Sequence, residues 1–190
     1  MQNVQELADN KTSILRLKHN GNEPIYVHID DSINDKTESL ILQSLNYIEN
    51  IFSLINDKYT FKVIDEQKAE KIKDIRTVIT YKAEDLPPIY NGANTRLFKN
   101  YAINDYEFYI HKSTIKLRTS FINDFIDSEP EKILYALNHE LLHAFGLSDV
   151  YIYDKDETTF MKVDLGEYYE IISPNDFKLL YTLRNLFILT

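Results

Sequence analysis

The chain has 190 residues, 44% of them apolar and 13% aromatic, with a formal net charge of -9 and a pI near 5.0. That is enough apolar material for one domain with a sizeable core, or for two small lobes around a cleft, and too much for a disordered chain. The acidity disfavours nucleic acid and anionic membranes as partners, because phosphates would be repelled; it leaves a divalent cation or a basic peptide, or simply the solvated surface of a soluble protein.

There are no cysteines. The fold therefore uses no disulfide or thiolate site, and any zinc must be held by His, Asp or Glu. No apolar run approaches the about 18 residues that span a bilayer. Met1 to Lys11 is polar and lacks the apolar stretch of a secretory signal, so the chain either stays inside the cell or follows a signal already removed.

In Glu23 to Asp30 the residues Ile25, Val27 and Ile29 alternate, which predicts a strand. Asp35 to Asn56 carries Leu40, Ile41, Leu45, Ile48, Ile51, Phe52 and Ile55 at helical spacing, giving an amphipathic helix of about five to six turns. Tyr59 to Ile64 and Ile75 to Tyr81 read as strands, and the charged stretch Asp65 to Asp74 between them as a connection or short helix. Asp85 to Asn94, with Pro87, Pro88 and Gly92, reads as a loop. Tyr106 to His111 and Thr114 to Thr119 read as two strands joined near Lys112 and Ser113.

Ser128-Glu129-Pro130-Glu131 has the pattern of a capping box with a proline in the first turn, so a helix is expected from Ser128. It runs through Ile133, Leu134, Leu137, Leu141 and Ala144, and Gly146 suits its exit. A last helix is expected from Ser173-Pro174-Asn175-Asp176 to about Leu189. The order of elements predicts an α+β fold: a twisted mixed sheet packed on the long helix and the later helix, then an irregular part after Gly146 that ends in a helix.

The later helix carries the string His139-Glu140-Leu141-Leu142-His143-Ala144-Phe145-Gly146-Leu147-Ser148-Asp149. Imidazoles four residues apart on a helix point the same way. His139 and His143 can offer neutral nitrogens to a metal, and Asp149 a carboxylate oxygen returned by the turn at Gly146, with one position left for water. Glu140 lies about 100° round the helix from His139. It is displaced from sharing the metal easily but can reach that water as a general base. His19, His28 and His111 have no partner at ligand spacing and read as surface or strand residues.

His-Glu-x-x-His-x-x-Gly-x-x-Asp resembles the metzincin clan of zinc endopeptidases, in the snapalysin-like variant whose third ligand is Asp rather than the more usual His. The resemblance implies a zincin-type fold, one catalytic Zn2+ on His139, His143 and Asp149, and a peptide or protein substrate cut with Glu140 as general base. It implies one catalytic domain over 1–190, with an upper part at about 20–146 and a lower part at about 147–190; the oligomeric state is left open, with a monomer favoured. Clan members are mostly exported, which favours secretion as the destination. Met161 matches the methionine turn that such enzymes place beneath the metal. Some add a tyrosine that stabilises the oxyanion, and Tyr168 and Tyr169 lie in that region, with ordinary packing as their alternative role. Asp164, Glu167 and Glu170 fall where the wall of the pocket after the cleaved bond would be, implying a preference for basic or polar side chains. A strand one hairpin ahead of the active-site helix, around Asn91 to Thr95, would form the upper rim and take an extended peptide by strand addition.

Two competing readings stand beside this one. A zincin of the other main branch would take Glu167 or Glu170 as its third ligand. A catalytically silent zincin scaffold would use the cleft only to bind a peptide or protein.

Overall fold

The computed structural model describes residues 14–17, 23–54, 59–72, 76–87, 92–102 and 107–145. Within them lie six strands, β1 (Ile14–Leu17), β2 (Ile25–Ile29), β3 (Phe61–Ile64), β4 (Val78–Glu84), β5 (Ala93–Ala102) and β6 (Glu107–Arg118). Four helices accompany them: α1 (Asp35–Leu54), α2 (Glu66–Ile72), α3 (Thr119–Phe125) and α4 (Pro130–Ala144). The fold is mixed α/β.

All six strands form one mixed sheet. β3, β2, β4 and β6 are successive parallel neighbours, and β5 pairs antiparallel with β6. β6 is long enough to serve two partners in succession on its other edge. Its first half pairs with β1 (Ile14 opposite Glu107, Leu17 opposite Ile110) and its second half with β4 (Val78 opposite Lys112, Glu84 opposite Arg118).

Alternation assigns the two faces of the sheet. Ile25 and Val27 of β2, Ile79 and Tyr81 of β4, and Ile115 and Leu117 of β6 share one core with Ile41, Leu45 and Ile48 of α1 and Ile133, Leu137 and Leu141 of α4. The intervening residues Tyr26 and Val78 face the other way, where Ala69 and Ile72 of α2 and Ile64 of β3 form a second, smaller cluster. Each fully buried aliphatic side chain contributes about 1.5–3 kcal/mol, so the larger core carries most of the stability. Helix α1 starts where its spacing predicts: Asn34 Oδ1 accepts the Thr37 N–H at 2.9 Å and satisfies one of the open donors of the first turn. The charged stretch after β3 does form a helix, α2, with Asp65 Oδ1 accepting the Lys68 N–H at 2.8 Å.

Three expectations need correction. The two strands expected to meet at Lys112 and Ser113 are one strand, β6. Lys112 and Ser113 are in register with Val78 and Ile79 on one side and with Phe98 and Leu97 on the other. Both are therefore ladder residues, and neither supplies the left-handed backbone that a two-residue turn demands. The partner that makes this possible is β5, most of which the sequence left unassigned. The expected loop ends at Gly92, where a Cβ would come within 2.9 Å of the Phe121 ring; glycine lets strand and ring approach.

Residues Thr119–Phe125, of which only Thr119 was expected in a strand and the rest were left unassigned, form α3, with Phe121 and Ile122 buried. Finally, α4 begins after Glu129, not Ser128. The Ser128 hydroxyl donates to Asp124 O at 3.1 Å, and the Glu129 side chain makes no capping hydrogen bond, although Pro130 does occupy the first turn. The Ser128 hydroxyl serves the end of α3 and is unavailable to α4.

Candidate metal centre

Helix α4 is anchored by its apolar face: Ile133, Leu137, Leu141, Leu142 and Ala144 have no solvent exposure. Burying those positions turns His139 and His143, one turn apart, toward partly open space. Their rings stand almost perpendicular (88°), with centroids 4.7 Å apart, and the two Nε2 atoms approach to 3.1 Å. The Tyr135 ring lies one turn earlier, its plane 24° from that of His139 and its centroid 6.4 Å away.

Glu140 sits between the histidines in sequence and is buried, at 7% exposed. One ligand atom from each of His139, Glu140 and His143 can be chosen so that all three lie within 4.8 Å of one another. Among the described residues this is the one group of histidines and acids so gathered. Two nitrogens bound at about 2.0–2.1 Å with a near-tetrahedral angle lie about 3.3 Å apart. The observed 3.1 Å fits that separation without rotating either ring far. The group could hold a metal ion.

The surroundings of Glu140 are built from three other elements. Thr95 Oγ1 on β5 donates to the Glu140 backbone O at 3.0 Å. Ser44 Oγ on α1 donates to Oδ1 of Asn138, two residues earlier, at 2.7 Å, and both side chains are buried. Tyr81 on β4 is fully buried; burial pushes its phenol well above the ordinary value, and the negative charge of Glu140 adds to the rise.

The structure thus brings together His139, Glu140 and His143. Gly146, Asp149, Met161, Asp164, Glu167, Tyr168, Tyr169 and Glu170, and the helix expected from Ser173, lie outside the described residues, as does His19. His28 is on β2 and lines a cavity of about 520 Å3 with Asp30, Asp31, Asp65 and Glu66. Two of those acids have structural duties: Asp30 Oδ1 accepts the Ser32 N–H, and Asp65 Oδ1 caps α2.

Asn138 and Tyr81 were not read as parts of the site, and Thr95 was expected only on the substrate rim, not as a partner of Glu140. Only Tyr135 left a signal, since it lies four residues ahead of His139 on the same helix. No protein-family model and no curated protein matches the chain.

Proposed function

We propose that the protein is a zinc-dependent endopeptidase of the metzincin type, in which His139, His143 and Asp149 hold the ion and Glu140 is the general base. The observation that carries this reading is the convergence of the His139 and His143 Nε2 atoms to 3.1 Å beside a buried glutamate. A carboxylate buried beside two converging imidazoles suits a hydrolase, which needs a base next to its metal-bound water. Bound zinc would supply Lewis acidity for the scissile carbonyl and lower the pKa of a water. Glu140 takes a proton from the attacking water and passes it to the leaving amine. Its burial withholds bulk water from that exchange.

The sheet supports the same reading. β5 runs antiparallel to β6, one hairpin ahead of α3 and α4, and its other edge pairs with no described strand. An extended peptide can add to that edge through backbone hydrogen bonds. Of the rim residues expected around Asn91 to Thr95, those from Ala93 onward lie on this strand.

The test combines metal analysis with cleavage of a randomised peptide library. About one zinc per chain and hydrolysis abolished by a chelator and by Glu140→Ala are expected. Stoichiometric zinc without cleavage of any library peptide would establish the silent binding scaffold instead. Enrichment of aspartate or glutamate after the cleaved bond would sink the proposed role of Asp164, Glu167 and Glu170.

A further inference from the structure

From the hydrogen bond between β5 and α4 we infer that Thr95 is a positioning residue: it fixes the distance between the strand edge that would receive a peptide and the turn that carries Glu140. The inference rests on the reading of α4 as the catalytic helix and β5 as the substrate rim.

Thr95 Oγ1 donates to the backbone oxygen of Glu140 itself, at 3.0 Å and across 45 residues of sequence. A carbonyl inside a helix already accepts from the N–H four residues on, and its second lone pair is open to a further donor. The bond therefore adds a tether without taking a helical bond apart. On the strand side, Thr95 lies opposite Ile115, a fully buried residue of β6, and two residues from Ala93, which packs on the large core. The hydroxyl is carried by a strand that is in regular register and packed on the core at that point. Further along, the β5–β6 register shifts at Phe98/Lys99 and again at Lys99/Tyr101, so the strand is least regular away from Thr95.

The consequence is separable from binding. A peptide added to β5 uses that strand's own backbone, and the metal ligands are on α4. Loosening the tether leaves both intact and lets the bound carbonyl drift relative to Glu140. Misplacement of about 1 Å costs up to about 100-fold in rate. The loss should therefore fall on kcat and spare KM.

Thr95→Val keeps the shape and removes the donor, while Thr95→Ser keeps the donor. Both are compared with wild type in the full chain. In hydrogen exchange without metal, the β5 amides of Thr95→Val should exchange about fivefold faster, the equivalent of one hydrogen bond, and those of Thr95→Ser at the wild-type rate. In hydrolysis of a library-selected peptide by the zinc-loaded protein, Thr95→Val should lower kcat about tenfold or more with KM unchanged, and Thr95→Ser should recover it. Unchanged β5 exchange in Thr95→Val overturns the tether. A raised KM at constant kcat, or no recovery with serine, overturns the positioning role. If the wild type cleaves nothing, the endopeptidase reading fails by itself, and positioning for hydrolysis fails with it; the exchange data then decide the tether alone.

Discussion

The Ser44 hydroxyl and the Asn138 side-chain oxygen meet at 2.7 Å in the buried seam between α1 and α4. The bond is polar, enclosed by apolar neighbours, and adjacent in sequence to His139. It sets the rotation of α4 about its axis more sharply than apolar packing can, because a hydrogen bond has a direction and a methyl contact has none. Ser44→Ala leaves the Asn138 oxygen without this donor and should cost about 1–3 kcal/mol. Urea unfolding measures it, and a loss under 0.5 kcal/mol on that same scale would remove the bond from the framework of the site.

The proposed ligand set separates by substitution. His139→Ala, His143→Ala and Asp149→Ala should each abolish stoichiometric zinc, whereas Glu140→Ala should retain it and lower kcat by about 100- to 10,000-fold. Retention of zinc by Asp149→Ala, with loss in Glu167→Ala or Glu170→Ala, would transfer the third ligand to the later acid.

Gly92 and Phe121 interlock at the start of β5. A Cβ at residue 92 would lie 2.9 Å from two ring atoms, so Gly92→Ala must displace either the ring or the strand. A cost of about 1–3 kcal/mol is expected, reduced when Phe121→Leu is introduced with it. A double mutant no more stable than Gly92→Ala would show that the backbone, not the ring, is the obstacle.

Asp30 gives the pH dependence. The Ser32 side chain first, and the Ser32 N–H second, hold its carboxyl below the usual carboxylate range. Its folded pKa is thus depressed relative to about 3.9 in the unfolded chain. The resulting stabilisation is complete above that unfolded value and disappears as the pH falls through the lower folded one. Ser32→Ala should raise the titration midpoint of Asp30, followed by NMR, and move acid unfolding to higher pH. An unmoved midpoint would contradict the assignment to Ser32.

The Tyr81 hydroxyl is fully buried and makes no hydrogen bond among the described residues. An unmet polar group costs about 1–3 kcal/mol, so Tyr81→Phe should stabilise the protein by about 1 kcal/mol in thermal or urea unfolding. Destabilisation of that size would show that the hydroxyl is bonded in solution.

What could be read in advance follows physical range. The histidine pair was legible because the 3.6-residue period alone puts residues 139 and 143 on one face. Helix α1 was legible for the same reason. β6 was not, because its continuity depends on partners from three separate segments that the sequence does not advertise. Helix α3 has no side-chain cap and only two buried residues, too little pattern to detect. The support around Glu140 was the least readable part. Thr95, Ser44 and Tyr81 are ordinary strand and helix residues until folding brings them to α4. The expected ligand Asp149 and the expected Met161 turn fall outside the described residues.

β6 also dictates an order of events during synthesis. It separates β4 from β5, and it is the partner of β1, pairing Glu107 with Ile14. A ribosome delivers β1, β2, β3, β4 and β5 before the strand that unites them. Until Ile110 has emerged β1 lacks its template, and until Arg118 has emerged one side of β4 stays incompletely paired. Only the β2–β3–β4 unit can form early, and the nascent chain carries sticky strand edges through that interval. Translation through residues 93–118 is therefore the stretch in which holdase chaperones would matter most to this protein's yield.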